Sequence, residues 1–386
     1  MANKTLVRTV FLALLLLSGN GLSSAQVAIA TGSNPASIES FSQFIPRPQK
    51  KTKIDYDVWD SILEEMVLYT GPSARIRLSR PAPVLGSRFS RGHTSPYRLE
   101  GNRIPYSQMK TEFKELITGY REDIERVGSQ LDITKLSRNE QLAYWMNLHN
   151  VVMVEQLAME YPVRQPRNLK IGKPRVLLHD AKIINIRGTA LSLRDIREKI
   201  VYPNWKNPKV IYGFYLGDIG SPTIQNTAFT ADNISDVLDR SASEFTNSLR
   251  GFHVKSNGQY ISELYTDVAK FYFPNFEIDL RNHLSKFMRD DVKSQIINNK
   301  PFRIDRYEKT IADMTAGLGS FTSISQLETT SRSTISRTVS PINDFIRELV
   351  VKRRSLERQG LVGNGTVIIE DIETVDPDSI VTPDIE

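Results

Sequence analysis

The 386 residues contain no cysteine. That absence excludes disulfides, cysteine-ligated zinc, iron-sulfur centres, a thiol nucleophile and a lipid-bearing cysteine together. Histidine is scarce, five residues in all, and none falls in a His-x-His or His-x-x-x-His pair, so no metal-ligand spacing is present and no metal or cofactor is expected. The segment Gly217-Asp218-Ile219-Gly220 lacks both the Gly-x-Gly-x-x-Gly register and a following lysine, which excludes a phosphate loop. No repeat of 20 to 50 residues is visible. Beyond residue 25 no apolar run is long enough to span a bilayer, so no transmembrane helix is expected in the mature chain.

What is present fits a folded chain. Hydrophobic residues make up 40% and charged residues 24%, enough to bury a substantial core. Lys4 and Arg8 precede the apolar run Val10–Leu17, and Ser23-Ser24-Ala25 has the small-residue spacing of a signal peptidase site. Residues 1–25 thus read as a secretory signal, and the mature protein is expected outside the cytoplasm, periplasmic or secreted. The formal charge of +6 is uneven: residues 364–386 hold seven carboxylates and no Lys or Arg, leaving +11 on residues 26–363. Such a body could meet a protein or an anionic envelope surface; for an exported protein no nucleic-acid partner is expected.

Periodicity sets the organisation. Residues 26–53 read as a flexible leader, 54–305 as the core domain, 306–341 as a linker and 342–386 as a basic helix with an acidic tail. Trp59, Ile62, Leu63, Met66 and Val67 mark a first helix, and Met109 through Ile124 a second. Ser137 with Glu140 opens a third, which runs to Leu157 before Pro162 stops it. Residues 175–178 and 183–186 read as paired strands around the turn His179–Lys182, with Gly188 turning the chain. Ser192 caps a short helix to Val201, and the apolar run Val210–Leu216 predicts a central buried strand. Helices follow at about 232–249 and 261–271. The Arg-rich stretch 75–103 reads as a solvated loop. Eleven Ser or Thr in residues 321–340 mark the linker. The fold class is α+β: one core domain with a mixed sheet covered by helices, and a flexible C-terminal extension.

The run Leu136–Asn150, LSRNEQLAYWMNLHN, resembles the EQLAFWINxYN helix of the domain-of-unknown-function 547 family. Tyr161-Pro-Val163, Leu191–Ile196 (LSLRDI), Asn207–Val210 (NPKV), Tyr215–Ile224 (YLGDIGSPTI) and Tyr260–Phe276 resemble further family blocks in the same order, over about Ile54 to Phe276. Where the family pattern carries two cysteines and a histidine, this chain has Leu216, Ser221 and Ile211. The resemblance therefore implies a scaffold whose reactive thiol and imidazole are gone.

Two functional readings follow. One is a non-catalytic binding or interaction protein. The alternative is a serine-dependent hydrolase or acyl-transfer enzyme, with Ser221 in the turn Gly220-Ser221-Pro222 as nucleophile, His149, His179 or His253 as base, and Asn147 as a polarising amide. Asn147 and Asn150 lie three apart on one helix face and could orient a ligand or tie loop backbone to the helix. Asn150, Gly220 and Pro222 complete the candidate binding residues.

Overall fold

The structure, a computed structural model, describes residues 41–81, 93–318 and 341–362. The expected signal at 1–25, most of the leader, the Ser/Thr-rich segment and the acidic tail lie outside the described residues. Among those described, no helix is long and apolar enough to cross a membrane.

The first three helices follow the hydrophobic spacing. Helix α1 (Asp57–Met66) buries Trp59, Ile62, Leu63 and Met66 on one face. Helix α2 (Thr111–Gln130) buries Ile117 and Ile124, with Glu and Lys outward. Helix α3 (Arg138–Glu160) is buried on nearly every side from Glu140 to Ala158. The Ser137 hydroxyl accepts the Glu140 amide at its first turn, but the Glu140 carboxylate takes the Ile54 N–H instead of closing the box, joining the entry of α1 to α3. Gly128 lets α2 approach α3: a Cβ there would sit 1.8 Å from the Tyr144 hydroxyl.

The strands differ from expectation. β1 (Lys170–Ile171) pairs with β2 (Val176–Leu177), and β3 (Ile184–Ile186) pairs with β4 (Thr189–Leu191). Segments 175–178 and 183–186 are therefore not each other's partners. Arg187 and Gly188, at φ 51° and 79°, form a tight hairpin turn of the kind that needs positive φ at both central residues, which closes β3 onto β4. Among the described residues the one mixed sheet lies later: β5 (Phe252–Lys255) antiparallel to β6 (Gly258–Ile261), and β6 parallel to β7 (Phe302–Ile304).

Ser192 makes the full reciprocal cap with Asp195 on the short helix α4 (Leu193–Asp195). The helix then widens into a π-helical turn, Ile196–Val201, and ends with Tyr202–Asn204. Val210–Leu216 is not a strand. Pro208–Gly213 forms a 3-10 turn, opened by the Asn207 side chain accepting the Lys209 N–H, and Asn150 satisfies Gly213 O and Tyr215 N–H, backbone groups that sheet neighbours would otherwise take. A fully apolar run reports burial, not backbone form.

Helix α5 (Ile234–Thr246) occupies the region expected at 232–249. The helix expected at 261–271 begins later, because Ile261 belongs to β6: Ser262 caps α6 (Glu263–Asp267), and a further turn spans Ala269–Tyr272. Helix α7 (Phe276–Phe287) closes this side, and helix α8 (Pro341–Arg358) buries Phe345, Lys352 and Leu356.

Packing extends past two sequence boundaries and into the stretch expected to be a solvated loop. Phe44, in the expected leader, is buried with its ring edge-on to Trp145. Residues 307–316, expected in the linker, are packed in: Ile219 N–H bonds Thr310 O, Gly220 N–H bonds Glu308 O, and Ala312 N–H bonds Gly217 O, with Ile311 fully buried. In the Arg-rich stretch, Arg98 and Arg103 are buried. Arg103 donates to the carbonyls of Tyr97, Arg98, Gly101 and Asn102, acting as an internal clamp for its own loop.

Candidate functional site

The Gly220-Ser221-Pro222 turn is an interior feature. Ser221 is 0% exposed, and its hydroxyl donates 2.8 Å to Asp218 O, with Pro222 O at 3.2 Å. Arg250 donates to the carbonyls of Ile219 and Ser221 and pairs with the Glu244 carboxylate. Gly220 is pressed so closely by the returning chain that a Cβ would lie 2.8 Å from Glu308 O. Pro222 is buried too. No histidine hydrogen-bonds Ser221: His253 Nδ1 faces Leu249 O and its Nε2 lies 3.3 Å from Asp305, while His149 and His179 face elsewhere. The hydroxyl is bonded as an ordinary turn residue would be.

Beside this turn, Tyr307 donates 2.6 Å to Asp218 Oδ1, and the Arg167 guanidinium stacks 3.7 Å from the Tyr307 ring centroid. Burial pushes the Asp218 carboxyl up to about 7, against the lowering effects of Tyr307 and Arg167.

Helix α3 divides its polar residues between two tasks. Asn147 donates to Phe229 O and accepts Phe229 N–H, so its amide acts as a surrogate strand partner for one loop residue. Asn150 does the same for Gly213 and Tyr215 and also faces His149 Nδ1 at 3.0 Å. Because the Asn150 Oδ1 accepts, His149 carries its proton on Nδ1 and presents Nε2 as an acceptor. Arg197 Nη1 fills that position at 2.8 Å. Burial, then Arg197, holds His149 well below the usual imidazole range. The helix thus fixes the loop backbone with its amides and aims an arginine with its histidine.

Arg197 sits in the π-helical turn after α4 and reaches the floor of a cavity of about 400 Å3. π-helical turns recur at functional sites because the extra residue re-aims a side chain. Arg197 is only 7% exposed. Its Nη1 also contacts Leu193 O at 3.4 Å, yet among the described residues no carboxylate lies within ion-pair distance. Its guanidinium is lowered by burial first. His179, at the turn after β2, lines the same cavity, with Nδ1 buried and unpartnered. It is held well below its ordinary range by burial and then by Arg197, His149, Arg194 and Arg167. Leu177, Tyr202, Leu216, Leu264 and Val268 supply an apolar wall.

The structure therefore joins His149 and His179 through Arg197, ties Asn150 to that group, and sets Ser221 and Asn147 in separate hydrogen-bond networks. Sequence reading missed Arg197, Arg167 and Asp218. Arg197 has a local signal in the Ser192/Asp195 cap that places it on the first turns of a short helix, but its target is set by the fold.

A second cavity, about 570 Å3, lies between α8 and residues 74–81 and 98–100. Its charged groups have partners: Arg98 makes a bidentate pair with Glu348, and Lys352 donates to Leu99 O. Its rim reaches Pro81, His93 and Pro341, next to residues outside the description.

An α+β chain built around a buried helix, with polar side chains of that helix serving adjacent loops, is the class the fold defines. Residues 133–246 match the family model described as protein of unknown function, DUF547. The resemblance carried by the Leu136–Asn150 run holds over that segment, which includes α3, the β1–β2 and β3–β4 hairpins, the Arg197 turn, Leu216, Ser221 and α5. No curated protein and no solved structure matches the chain.

Proposed function

We propose that this is an exported, non-catalytic binding protein that keeps the scaffold of its family without a reactive centre. The observation supporting this is the state of Ser221: its hydroxyl is fully buried and donated to the Asp218 carbonyl, with no imidazole in hydrogen-bond contact. A serine nucleophile needs an adjacent base and an open approach for the acyl group, and this hydroxyl has neither. Export is supported by the sequence pattern of residues 1–25.

A fluorophosphonate probe applied to the purified full chain is expected to leave the protein unlabelled. Labelling that disappears in Ser221→Ala would establish the hydrolase alternative and end the non-catalytic reading. Export is checked by intact mass of the protein recovered from cells: a chain beginning near Gln26 in the extracytoplasmic fraction supports it, and a full-length cytoplasmic chain refutes it.

A further inference from the structure

We propose that the cavity floored by Arg197 and His179 binds a small monocarboxylate with a short apolar body. The proposal rests on the reading of the chain as a binding protein, and it names the ligand class.

The argument begins with an uncompensated charge. A buried guanidinium normally meets a carboxylate, because removing it from water is costly and an opposite charge offsets that cost. Every other cation at this cavity has such a partner: Arg167 pairs with Glu263 and Asp267, Arg194 with Asp180 and Glu198, and Lys270 with Glu198. Arg197 has none among the described residues. Its Nη1 is held by a neutral histidine and a carbonyl, which fixes the plane of the group while leaving Nε and Nη2 without an acceptor among the described residues. Two N–H groups in a rigid fork match the two oxygens of a carboxylate.

His179 adds a second observation. Its ring lines the same cavity, is 7% exposed and makes no side-chain hydrogen bond among the described residues, and a neutral imidazole can donate one N–H to an oxygen already held by the fork. A ring without a hydrogen-bond partner beside a guanidinium without a carboxylate suits an anion that bonds both.

Charge and shape narrow the class. Glu198, Glu263 and Asp267 stand at the same cavity, so a dianion such as phosphate meets repulsion at the rim and finds too few donors at the floor. A monoanion does not. Leu177, Leu216, Leu264 and Val268 offer apolar surface for the rest of the ligand.

The test is calorimetric titration of the full chain with butyrate, and with butyramide and inorganic phosphate as comparisons. Butyrate is expected to bind one to one, with butyramide and phosphate at least tenfold weaker. Arg197→Met should abolish binding, and Arg197→Lys should weaken it at least tenfold, because the charge remains but the fork is lost. Leu216→Trp, which fills the cavity without touching the cation, should abolish binding even if the arginine variants fold poorly. In NMR titrations the His179 ring should rise in pKa on butyrate saturation, since a bound anion opposes the surrounding positive field. No saturable butyrate binding, phosphate binding as tightly as butyrate, or binding unchanged in Arg197→Met would each overturn the proposal. Absence of binding in a protein that the fluorophosphonate leaves unlabelled removes only this site, whereas labelling of Ser221 removes the non-catalytic reading and leaves the carboxylate site standing on its own data.

Discussion

Asp218 shows how one buried side chain can couple stability to pH. Its carboxyl stands at about 7 in the folded chain because burial outweighs the Tyr307 hydrogen bond and the nearby Arg167. In the unfolded chain an aspartate titrates near 3.9. The folded form therefore retains a proton that the unfolded form has released, so this residue's stabilising contribution is complete below about pH 4, declines as pH rises, and is gone above about 7. The linked loss is about 4 kcal/mol. Asp218→Asn keeps an acceptor for Tyr307 and cannot ionise. Urea midpoints of wild type and variant should be close at pH 4.5 and diverge in favour of the variant up to pH 7, then run parallel; a constant offset across that range would contradict the assignment. The same scale explains why Ser221 resisted sequence reading. A Gly-Ser-Pro turn looks alike whether its hydroxyl faces solvent or a carbonyl, and only the return of residues 307–312 against 217–220 decides it.

At the scale of elements, what the sequence made legible is what local forces determine. The periodic faces of α1 and α2 and the Ser137 and Ser192 caps act within a few residues, and they appear where expected. The Val210–Leu216 run predicts a strand because apolar continuity measures burial alone; its turn is set by Pro208 and by an asparagine 63 positions away from Gly213. The hairpin partners differ from expectation for a related reason: Gly188 marks a turn, but Arg187 joins it at positive φ, a conformation that side-chain type rarely announces. The cation at the floor of the cavity was invisible because a charged residue on a short helix normally faces water. Helices α2 and α3 approach closely at Gly128. Gly128→Ala would place a methyl against the Tyr144 hydroxyl and should destabilise by about 1 to 3 kcal/mol. Gly119→Ala, on the exposed face of the same helix with nothing within 4 Å of the added carbon, should stabilise by up to about 1 kcal/mol. Denaturant unfolding of the two variants must give opposite signs; equal signs would mean the helix contact is not what Gly128 serves.

Across the whole molecule, burial reaches elements far apart in sequence, and α8 is the most distant. Glu348 meets Arg98 in a bidentate pair at 2.6 and 2.7 Å, 250 residues upstream, and Lys352 donates 2.7 Å to Leu99 O. The Lys352 ammonium is lowered to about 8, chiefly by burial, so this charged contact carries its own desolvation cost and the docking must draw on apolar burial. Phe345 and Leu356, 2% and 1% exposed, supply it. Truncating a buried phenylalanine to alanine typically removes about 3 to 5 kcal/mol, more than one amphipathic helix is expected to retain through one ion pair and one further side-chain anchor. Phe345→Ala should therefore release α8 while the core stays folded. Hydrogen exchange reads the two separately: amides of α8 should lose protection in the variant, while those of α3, buried on nearly every side, keep theirs. Loss of protection in both would show that α8 belongs to the cooperative core, and unchanged protection in α8 would show that the polar contacts suffice to hold it.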